Sequence, residues 1–403
     1  MNLLLLLACG TTLDAPVDVT DTAAVDTAGT SDTADTAGVN EDTAAFVLDD
    51  DGDFLFGDRT LDFDLSLDDA ALAALAADPR ADVHATFTFE GQSWEVGLHL
   101  KGNASFRDLT GKASFKIDVH EWDTTARFYG MKRLTLNNMV QDPTMSAEHV
   151  AYALYGWLGI PAARHGYARV RVNGESYGLY GIVESVDEEL LERLFPGDDE
   201  GNLYKGGYGG DFAEGRAPIF SQEEGADTSR ADLATLIDTV LASTPGTFTS
   251  VLDAHFDTNQ LLDLWAAELV TSNADSYTTT ANNYFVYHAT VADRWVMMPW
   301  GPDQSFSDVE PWDGAHPGRL YERCLESADC SERLAARVDH VLGVWEQRDM
   351  LAYVTAETAR IEQDCRQDPR SPFGDYGCRD AQAALRAWVE ARPDQMRAAL
   401  GVR

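Results

Sequence analysis

The chain has 403 residues, which is enough for one large domain or two lobes with a substantial core. It carries 68 Asp plus Glu against 30 Lys plus Arg, a formal net charge of −38. This charge argues against nucleic acid or anionic lipid as a main partner. A saline habitat would produce the same acidic excess, and composition leaves both explanations open.

The N-terminus reads MNLLLLLACG, a leucine run that ends in Ala8-Cys9. The run is far too short to span a bilayer. It resembles the signal of exported bacterial lipoproteins, in which Cys9 would carry the lipid. We therefore expect residues 1–9 to be a signal, Cys9 to be the point of contact with the membrane, and the protein to reach the cell envelope or the exterior. A misassigned start is the alternative, because no basic residue follows Met1.

Residues 10–53 consist almost wholly of Asp, Thr, Ala, Gly and Val. Such a segment cannot bury enough apolar surface to offset the entropy lost on ordering, so it is predicted to be a disordered acidic tether. The folded part is expected at 54–403. We divide it into a β-rich lobe, about 54–205, and a mainly helical lobe, about 206–403.

The β-rich part begins with an alternation of apolar and acidic residues, and Asn173-Gly174 is a strong signal for a hairpin turn. Predicted strands are 61–67, 84–89, 94–101, 113–119, 167–172 and 177–184, and predicted helices are 68–77 and 146–158. From about Ser221 the pattern is mainly helical, interrupted by strands at 284–287 and 294–298. This layout predicts an α+β protein of two lobes.

Four further cysteines lie in the C-terminal third of the chain: Cys324, Cys330, Cys365 and Cys378. Four cysteines allow three pairings, and the sequence does not choose among them. The local option joins the first two to each other and the last two to each other. An even count fits an oxidising compartment. A zinc site is the alternative, disfavoured because no CxxC pair is present.

A set of polar motifs follows the order that phosphoryl transfer requires. The loop Lys101-Gly102-Asn103-Ala104-Ser105 precedes Lys116, which lies between apolar neighbours on a strand. Asn273 and Asp275 come some 160 residues later. A phosphoryl group must be held by a loop, a cation, and metal ions carried by carboxylate and amide oxygens. The order predicts such a site, whereas a solvent-facing lysine and an ordinary polar turn are the alternatives.

Three more residues have both a structural and a functional interpretation. Glu148 lies in the first turn of a predicted helix, where it favours the helix dipole, or it pairs with Lys116. Asn283, with Asp275 before it, belongs to a turn or holds a metal. Trp300 is a core residue or stacks on a base.

At these residues the sequence resembles the CotH kinase family. The resemblance extends over roughly 61–306, and its motifs are 101–105, 114–117, 134–138, 142–143, 174–184, 201–205, 283–287 and 299–300. It implies a kinase-like fold that binds ATP with Mg²⁺ and phosphorylates Ser or Thr of secreted or coat proteins. It also implies that Lys116 contacts phosphates with Glu148 as its partner, that Asp275 is the catalytic aspartate and that Asn283 holds the metal.

The sequence departs from the family at one position. Members usually have Pro-Trp-Asp, one residue and then a second Asp, whereas here Gly301 stands in place of the first carboxylate and Asp303 remains. We expect Asp303 and Asn283 to be the metal ligands. The alternatives are a catalytically inactive surface binding or scaffold protein, which Gly301 favours, and a carbohydrate-associated surface protein, suggested by export and aromatic content.

Overall fold

A computed structural model provides the fold and describes residues 52–308 and 316–401. The predicted signal, Cys9 and nearly all of the predicted tether lie outside the described residues. The first described element is a 3-10 turn, Asp53–Phe56, in which Phe54 and Leu55 are buried. This turn includes Asp53, the last residue assigned to the tether.

The N-terminal part is a closed barrel of seven strands in the order β1-β2-β3-β4-β5-β7-β6. The strands are β1 (Thr60–Ser66), β2 (Val83–Phe89), β3 (Gln92–Lys101), β4 (Ser114–Asp118), β5 (Arg133–Asn137), β6 (His165–Val172) and β7 (Glu175–Glu184). Neighbouring strands are antiparallel except β1 and β6, which close the barrel in parallel with Leu61 opposite Ala168. Three helices accompany the barrel: α1 (Asp69–Ala77), α2 (Ala147–Trp157) and α3 (Glu188–Leu194).

Aromatic side chains fill the barrel. Alternate residues of a strand point to the same face, so Phe63 of β1 and Phe87 of β2 both turn inward. Their rings meet edge to face at 5.0 Å, and Phe87 also packs on Phe128 at 4.9 Å. Edge-to-face packing of this kind is favourable beyond the area that it buries.

The C-terminal part combines helices with a four-stranded sheet in the order β11-β10-β8-β9. Its strands are β8 (Asn202–Gly206), β9 (Ser221–Glu224), β10 (Tyr284–Ala289) and β11 (Arg294–Pro299). Its helices are α4 (Ala231–Ala242), α5 (Phe248–His255), α6 (Thr258–Val270), α7 (Tyr277–Thr280), α8 (Arg319–Glu326), α9 (Ala328–Gln347), α10 (Met350–Gln367) and α11 (Gly374–Leu400). The core surrounds the buried helix α6, in which Trp265 is fully enclosed.

The α+β architecture with a β-rich first part and a mainly helical second part is confirmed. The predicted helices and strands of the first part and the two strands near residue 290 are present, with ends shifted by up to two residues. The sequence patterns missed β5, β8 and β9, which have only four or five residues each. The boundary assigned near residue 205 falls inside β8, which pairs with β10 and so belongs to the second sheet.

The cysteines form the local pairs. One disulfide joins Cys324 to Cys330 and the other joins Cys365 to Cys378. The zinc alternative is therefore not formed. Within the described ranges, no helix is both long enough and apolar enough to span a membrane.

Candidate functional site

The predicted site residues converge where the outer face of the barrel meets one edge of the second sheet. Lys101 ends β3, and Lys116 lies on the neighbouring strand β4 opposite His99. Because residues 99 and 101 share one face of their strand, the two lysines point the same way. From the second sheet, Lys205 near the end of β8 and Trp300 directly after β11 face them.

Trp300 lies between two of these ammonium groups. The Nζ atom of Lys101 is 5.8 Å from the centre of the Trp300 ring, and that of Lys205 is 5.9 Å away. The ring packs edge to face on Phe285 at 5.7 Å. These distances fit cation–π contact, which draws lysines from two separate sheets towards one half-buried tryptophan.

The three lysines oppose one another electrostatically. Burial, together with the charges of Lys205 and Lys116, lowers the pKa of Lys101 to about 8, against the attraction of Glu148 and Asp303. Burial, with the charge of Lys116, also lowers the pKa of Lys205. A cluster of like charges away from bulk water is stabilised by a polyanion, and phosphate groups are the common biological choice.

Lysine is rare in this chain. The sequence contains five lysines, and three of them form this cluster. The other two have carboxylate partners elsewhere: Lys112 binds Asp368, and Lys132 contacts Glu188 and Glu189. The sequence analysis did not single out Lys205, although the scarcity of lysine was a signal that could have found it.

Glu148 is buried at the start of α2, but its partners differ from the predicted one. Asn137 donates to its Oε2 at 2.7 Å, and the Nε2 atom of His165 lies 3.7 Å away. Burial alone would raise the pKa of Glu148, but these two groups and the charge of Lys101 hold it below its ordinary value. Among the described residues no ion pair joins Glu148 to Lys116. Lys101 is the lysine whose charge acts on it.

Asp275 and Asn283 form the hydrogen-bonded pair at the sheet edge. The Asn283 amide donates to Asp275 Oδ2 at 2.8 Å and to the Asp275 main-chain oxygen at 2.9 Å. Asn282 and Thr280 donate to the other carboxylate oxygen, each at 3.1 Å. Since the nitrogen of Asn283 is engaged, its amide oxygen is the atom left for a further ligand.

Gly301 and Asp303 follow β11 and lie against α2. Gly301 adopts a left-handed conformation, with φ 54° and ψ 54°, and the Tyr152 hydroxyl is 3.3 Å from its main-chain nitrogen. Asp303 lies in the next turn, half-buried. Burial, with the carboxylates of Glu148 and Asp142, raises the pKa of Asp303 to about 8. In the described part of the chain no hydrogen bond or ion pair reaches its carboxylate.

The loop between β3 and β4 closes one side of the site. Gly102 has φ 103°, and a Cβ atom there would lie 2.8 Å from the Ser105 hydroxyl, so this position requires glycine. Asn103, next along the loop, is exposed. The amide of Asn138 donates to the main-chain oxygens of Ser105, at 3.0 Å, and Lys112, at 2.6 Å. Asn138 thus attaches the loop to the barrel at two points, Ser105 and Lys112.

The donor set fits a magnesium ion shared with phosphates. Asp303, Asp275 and the oxygen of Asn283 are hard oxygen donors, and Mg²⁺ is typically held by one or two carboxylates plus substrate phosphates. Asp303 in particular is a half-buried carboxylate near those of Glu148 and Asp142, and the charge of Lys101 only partly offsets the rise in its pKa. No group of three or more His, Cys, Asp or Glu within residues 52–308 and 316–401 could hold a metal by itself.

Comparison with known proteins identifies the family. The sequence pattern described as CotH kinase protein matches residues 98–396, well over half of the chain. The chain belongs to this family of kinase-like proteins.

Among characterised relatives, inner spore coat protein H of Bacillus subtilis (strain 168) is 23% identical over 224 residues, which cover 53% of this chain. The match spans 59% of that relative's length.

Two solved structures show weaker similarity. The Helicobacter pylori proinflammatory kinase CtkA shares 11% identity with a TM-score of 0.31, covering 71% of this chain and 93% of that one. The Golgi casein kinase, solved with Mn/ADP bound, shares 9% identity with a TM-score of 0.28, covering 85% and 75%. Both TM-scores are below 0.5.

Replacing Asp303 by Asn should stabilise the protein when no metal is present. Folding raises the pKa of Asp303 from 3.8 to about 8. At pH values between these two, Asp303 keeps its proton in the folded state and has lost it in the unfolded state. Stability is therefore lost as the pH rises from about 4 to 8. In EDTA, we expect Asp303→Asn to raise the melting temperature by roughly 2 °C or more at pH 8 and far less at pH 4.

Asp118→Asn is the matched control, because this buried carboxylate accepts a hydrogen bond from Arg133 at 2.8 Å and its replacement should lower stability. Magnesium should then raise the melting temperature of the wild type and leave Asp303→Asn unchanged. An equal response of both proteins to magnesium would show that Asp303 is not a metal ligand.

Proposed function

We propose that this protein is a kinase that uses Mg-ATP to phosphorylate Ser or Thr hydroxyls of extracellular or coat proteins. The observation that carries the proposal is a cluster of three of the five lysines beside the Asp275–Asn283 pair. Lys101 and Lys205 both contact the ring of Trp300, and the charge of Lys116 on the neighbouring strand acts on both of them. Cations for the phosphates and carboxylates for a metal then lie side by side, as phosphoryl transfer requires.

In this proposal each group has a defined task. The lysines bind the phosphates, and the loop around Gly102 covers them. Asp275 orients the acceptor hydroxyl and takes its proton at a carboxylate oxygen. The hydroxyl oxygen then bonds to the γ-phosphorus as the bond from that phosphorus to the leaving oxygen of ADP breaks. Asn283 and Asp303 hold magnesium, which when bound supplies neutralisation of the phosphate charge. Glu148 acts on this site through Lys101.

The second candidate function is a nucleotide-binding or scaffold protein without catalysis. Gly301 favours it, because the family usually has a carboxylate at that position. The backbone itself would accept one. A Cβ atom at residue 301 would lie 3.9 Å from Asn283 Cγ, an ordinary contact, and Asp tolerates the left-handed conformation better than most residues.

Each lysine of the cluster should contribute to nucleotide binding. Lys101→Met, Lys116→Met and Lys205→Met should each weaken Mg-ADP binding by roughly tenfold or more, because a hydrogen bond to a charged group contributes about 1.5–3 kcal/mol. Lys132→Met is the matched control, since this lysine pairs with Glu188 and Glu189 outside the site, and it should bind normally. Isothermal titration calorimetry of residues 52–403 gives the affinities. If all four variants bound Mg-ADP with equal affinity, the lysine cluster would not be the phosphate-binding site.

Restoring the missing carboxylate should raise the rate of phosphoryl transfer. Gly301→Asp should increase incorporation of labelled phosphate into a Ser-rich acceptor by roughly tenfold, because even residues that only support metal ligands change metal affinity by this much. Gly301→Asn, which has the same shape without the charge, is the control and should show no gain. Asp275→Ala should abolish transfer while changing nucleotide affinity only a few-fold.

The outcomes separate the two candidate functions. Nucleotide binding without transfer in the wild type and in Gly301→Asp would support the inactive binding protein. A fast wild type that Gly301→Asp does not improve would show that Asp303 and Asn283 suffice as metal ligands. If the wild type binds no nucleotide, the kinase proposal fails.

We also propose that the protein is exported and anchored by lipid at Cys9. The leucine run before that residue and the two disulfides support an oxidising, extracytoplasmic location. In the native host, Cys9→Ser should move the protein from the membrane fraction to the soluble fraction, because it removes the site of acylation. A variant that stays with the membrane would contradict the anchor.

A further inference from the structure

The connection between α10 and α11 lies against the barrel rather than in solvent. The Cys365–Cys378 disulfide closes this connection. Asp368, just after α10, reaches across to Lys112 at the end of the loop that covers the candidate site, and the Lys112 Nζ to Asp368 Oδ2 distance is 2.6 Å. Both side chains are almost completely buried, with 1% and 0% of their surfaces exposed.

The Asp368 carboxylate packs closely against strand β7 of the barrel and accepts hydrogen bonds from main-chain nitrogens. The main-chain nitrogen of Leu179 donates to Oδ2 at 2.9 Å, and Arg370 donates its own main-chain nitrogen to Oδ1 at 2.9 Å. At Gly178, where φ is 93°, a Cβ atom would lie 2.2 Å from the carboxylate oxygens. Only glycine allows β7 to approach so closely, so this hairpin is shaped around an aspartate that comes from the far end of the chain.

Arg370 extends the contact along the same loop. Its Nη1 atom donates to the main-chain oxygens of Leu109, at 3.0 Å, and Gly111, at 2.6 Å. Its guanidinium lies 3.6 Å from the ring centre of Tyr177, whose hydroxyl also donates to Leu109. The C-terminal connection thus holds residues 109–112, the half of the loop that leads back into β4.

The disulfide also packs against the segment that leads into α2. A small separate core surrounds it, formed by Met139, Met145, Tyr167, Leu179 and Ile361 with the two cysteines. Gln382 of α11 donates to the main-chain oxygen of Thr144 at 3.1 Å. Asp142, in the same segment, accepts from the main-chain nitrogen of Ala147 at the start of α2. The helix that carries Glu148 is therefore supported by the same element.

We propose that Asp368 is a positioning residue for the nucleotide site: through Lys112 it holds the loop 102–112 in its binding conformation, and the Cys365–Cys378 disulfide fixes Asp368 in place. This inference rests on the proposed nucleotide-binding function. Without the aspartate, Lys112 is a buried charge without its partner, and the loop must move to bring it to water.

Asp368→Asn tests the inference because it keeps the shape that Gly178 demands and removes the charge. We expect faster backbone amide exchange in residues 102–112 without nucleotide, and Mg-ADP binding weakened about tenfold, since the loop must then be ordered on binding. The double variant Lys112→Met/Asp368→Asn removes both charges and should recover the melting temperature but not the affinity. A purely structural ion pair would recover both.

Two matched controls separate positioning from general destabilisation. Asp263→Asn removes the charge of a buried aspartate that pairs with the half-buried Arg337 between α6 and α9. It should lower the melting temperature without changing Mg-ADP affinity or loop exchange. Replacing Cys365 and Cys378 by Ser should reproduce the Asp368→Asn phenotype, whereas replacing Cys324 and Cys330 should not.

The possible results distinguish this inference from the proposed function. Normal affinity and unchanged loop exchange in Asp368→Asn, with a wild type that binds Mg-ADP, would overturn the positioning role alone. A wild type that binds no nucleotide would overturn the proposed function, and the positioning of a nucleotide site with it. Recovery of Mg-ADP affinity in the double variant would show that the ion pair contributes only to stability and does not position the loop.

Discussion

One constraint governs the rest of the structure: charges of the same sign are held close together in the cleft between the barrel and the second sheet. On one side Lys101, Lys116 and Lys205 repel one another. On the other side Asp303 lies near the carboxylates of Glu148 and Asp142, and the attraction of Lys101 offsets their effect only in part. Burial is the main reason that the pKa of Lys101 is lowered and that of Asp303 is raised, and the attraction between the two groups does not reverse either shift. A ligand with several negative charges and a bound cation would relieve both at once.

Holding unfavourable charges in place requires rigid support, and the fold provides it from two places. Asn137 and Asn138, at the end of β5, bond to Glu148 on one side and to the covering loop on the other. The second sheet presents Lys205, Asn283 and Trp300 at one edge, because β8 ends there while β10 begins and β11 ends beside it. Lys101 and Lys205 therefore lie at or near strand ends, and strands hold side chains more precisely than loops do.

Local sequence patterns sufficed for much of this. The Asn173-Gly174 turn and the alternating strands predicted the β-rich first part, and the order of the polar motifs led to Lys116, Asp275 and Asn283 before any geometry was known. The register between neighbouring strands could not be predicted from local sequence patterns. It determines that Lys101, at the end of β3, is the lysine whose charge acts on Glu148, whereas the sequence favoured Lys116. Asp368 carried no local signal, because its partner Lys112 is 256 residues away.

The parallel pairing of β1 with β6 also determines when the barrel can form. The pairing of residue 60 with residue 167 closes the barrel, and the contact of Lys112 with Asp368 needs a residue near the far end of the chain. The N-terminal part therefore cannot be completed while the rest of the chain is missing. Contacts so distant in sequence slow folding, because the loop-closure entropy is lost before the contacts are gained. The two parts of this molecule are thus distinct in architecture but not independent in folding. A fragment ending after the barrel would leave Lys112 buried without its counter-charge.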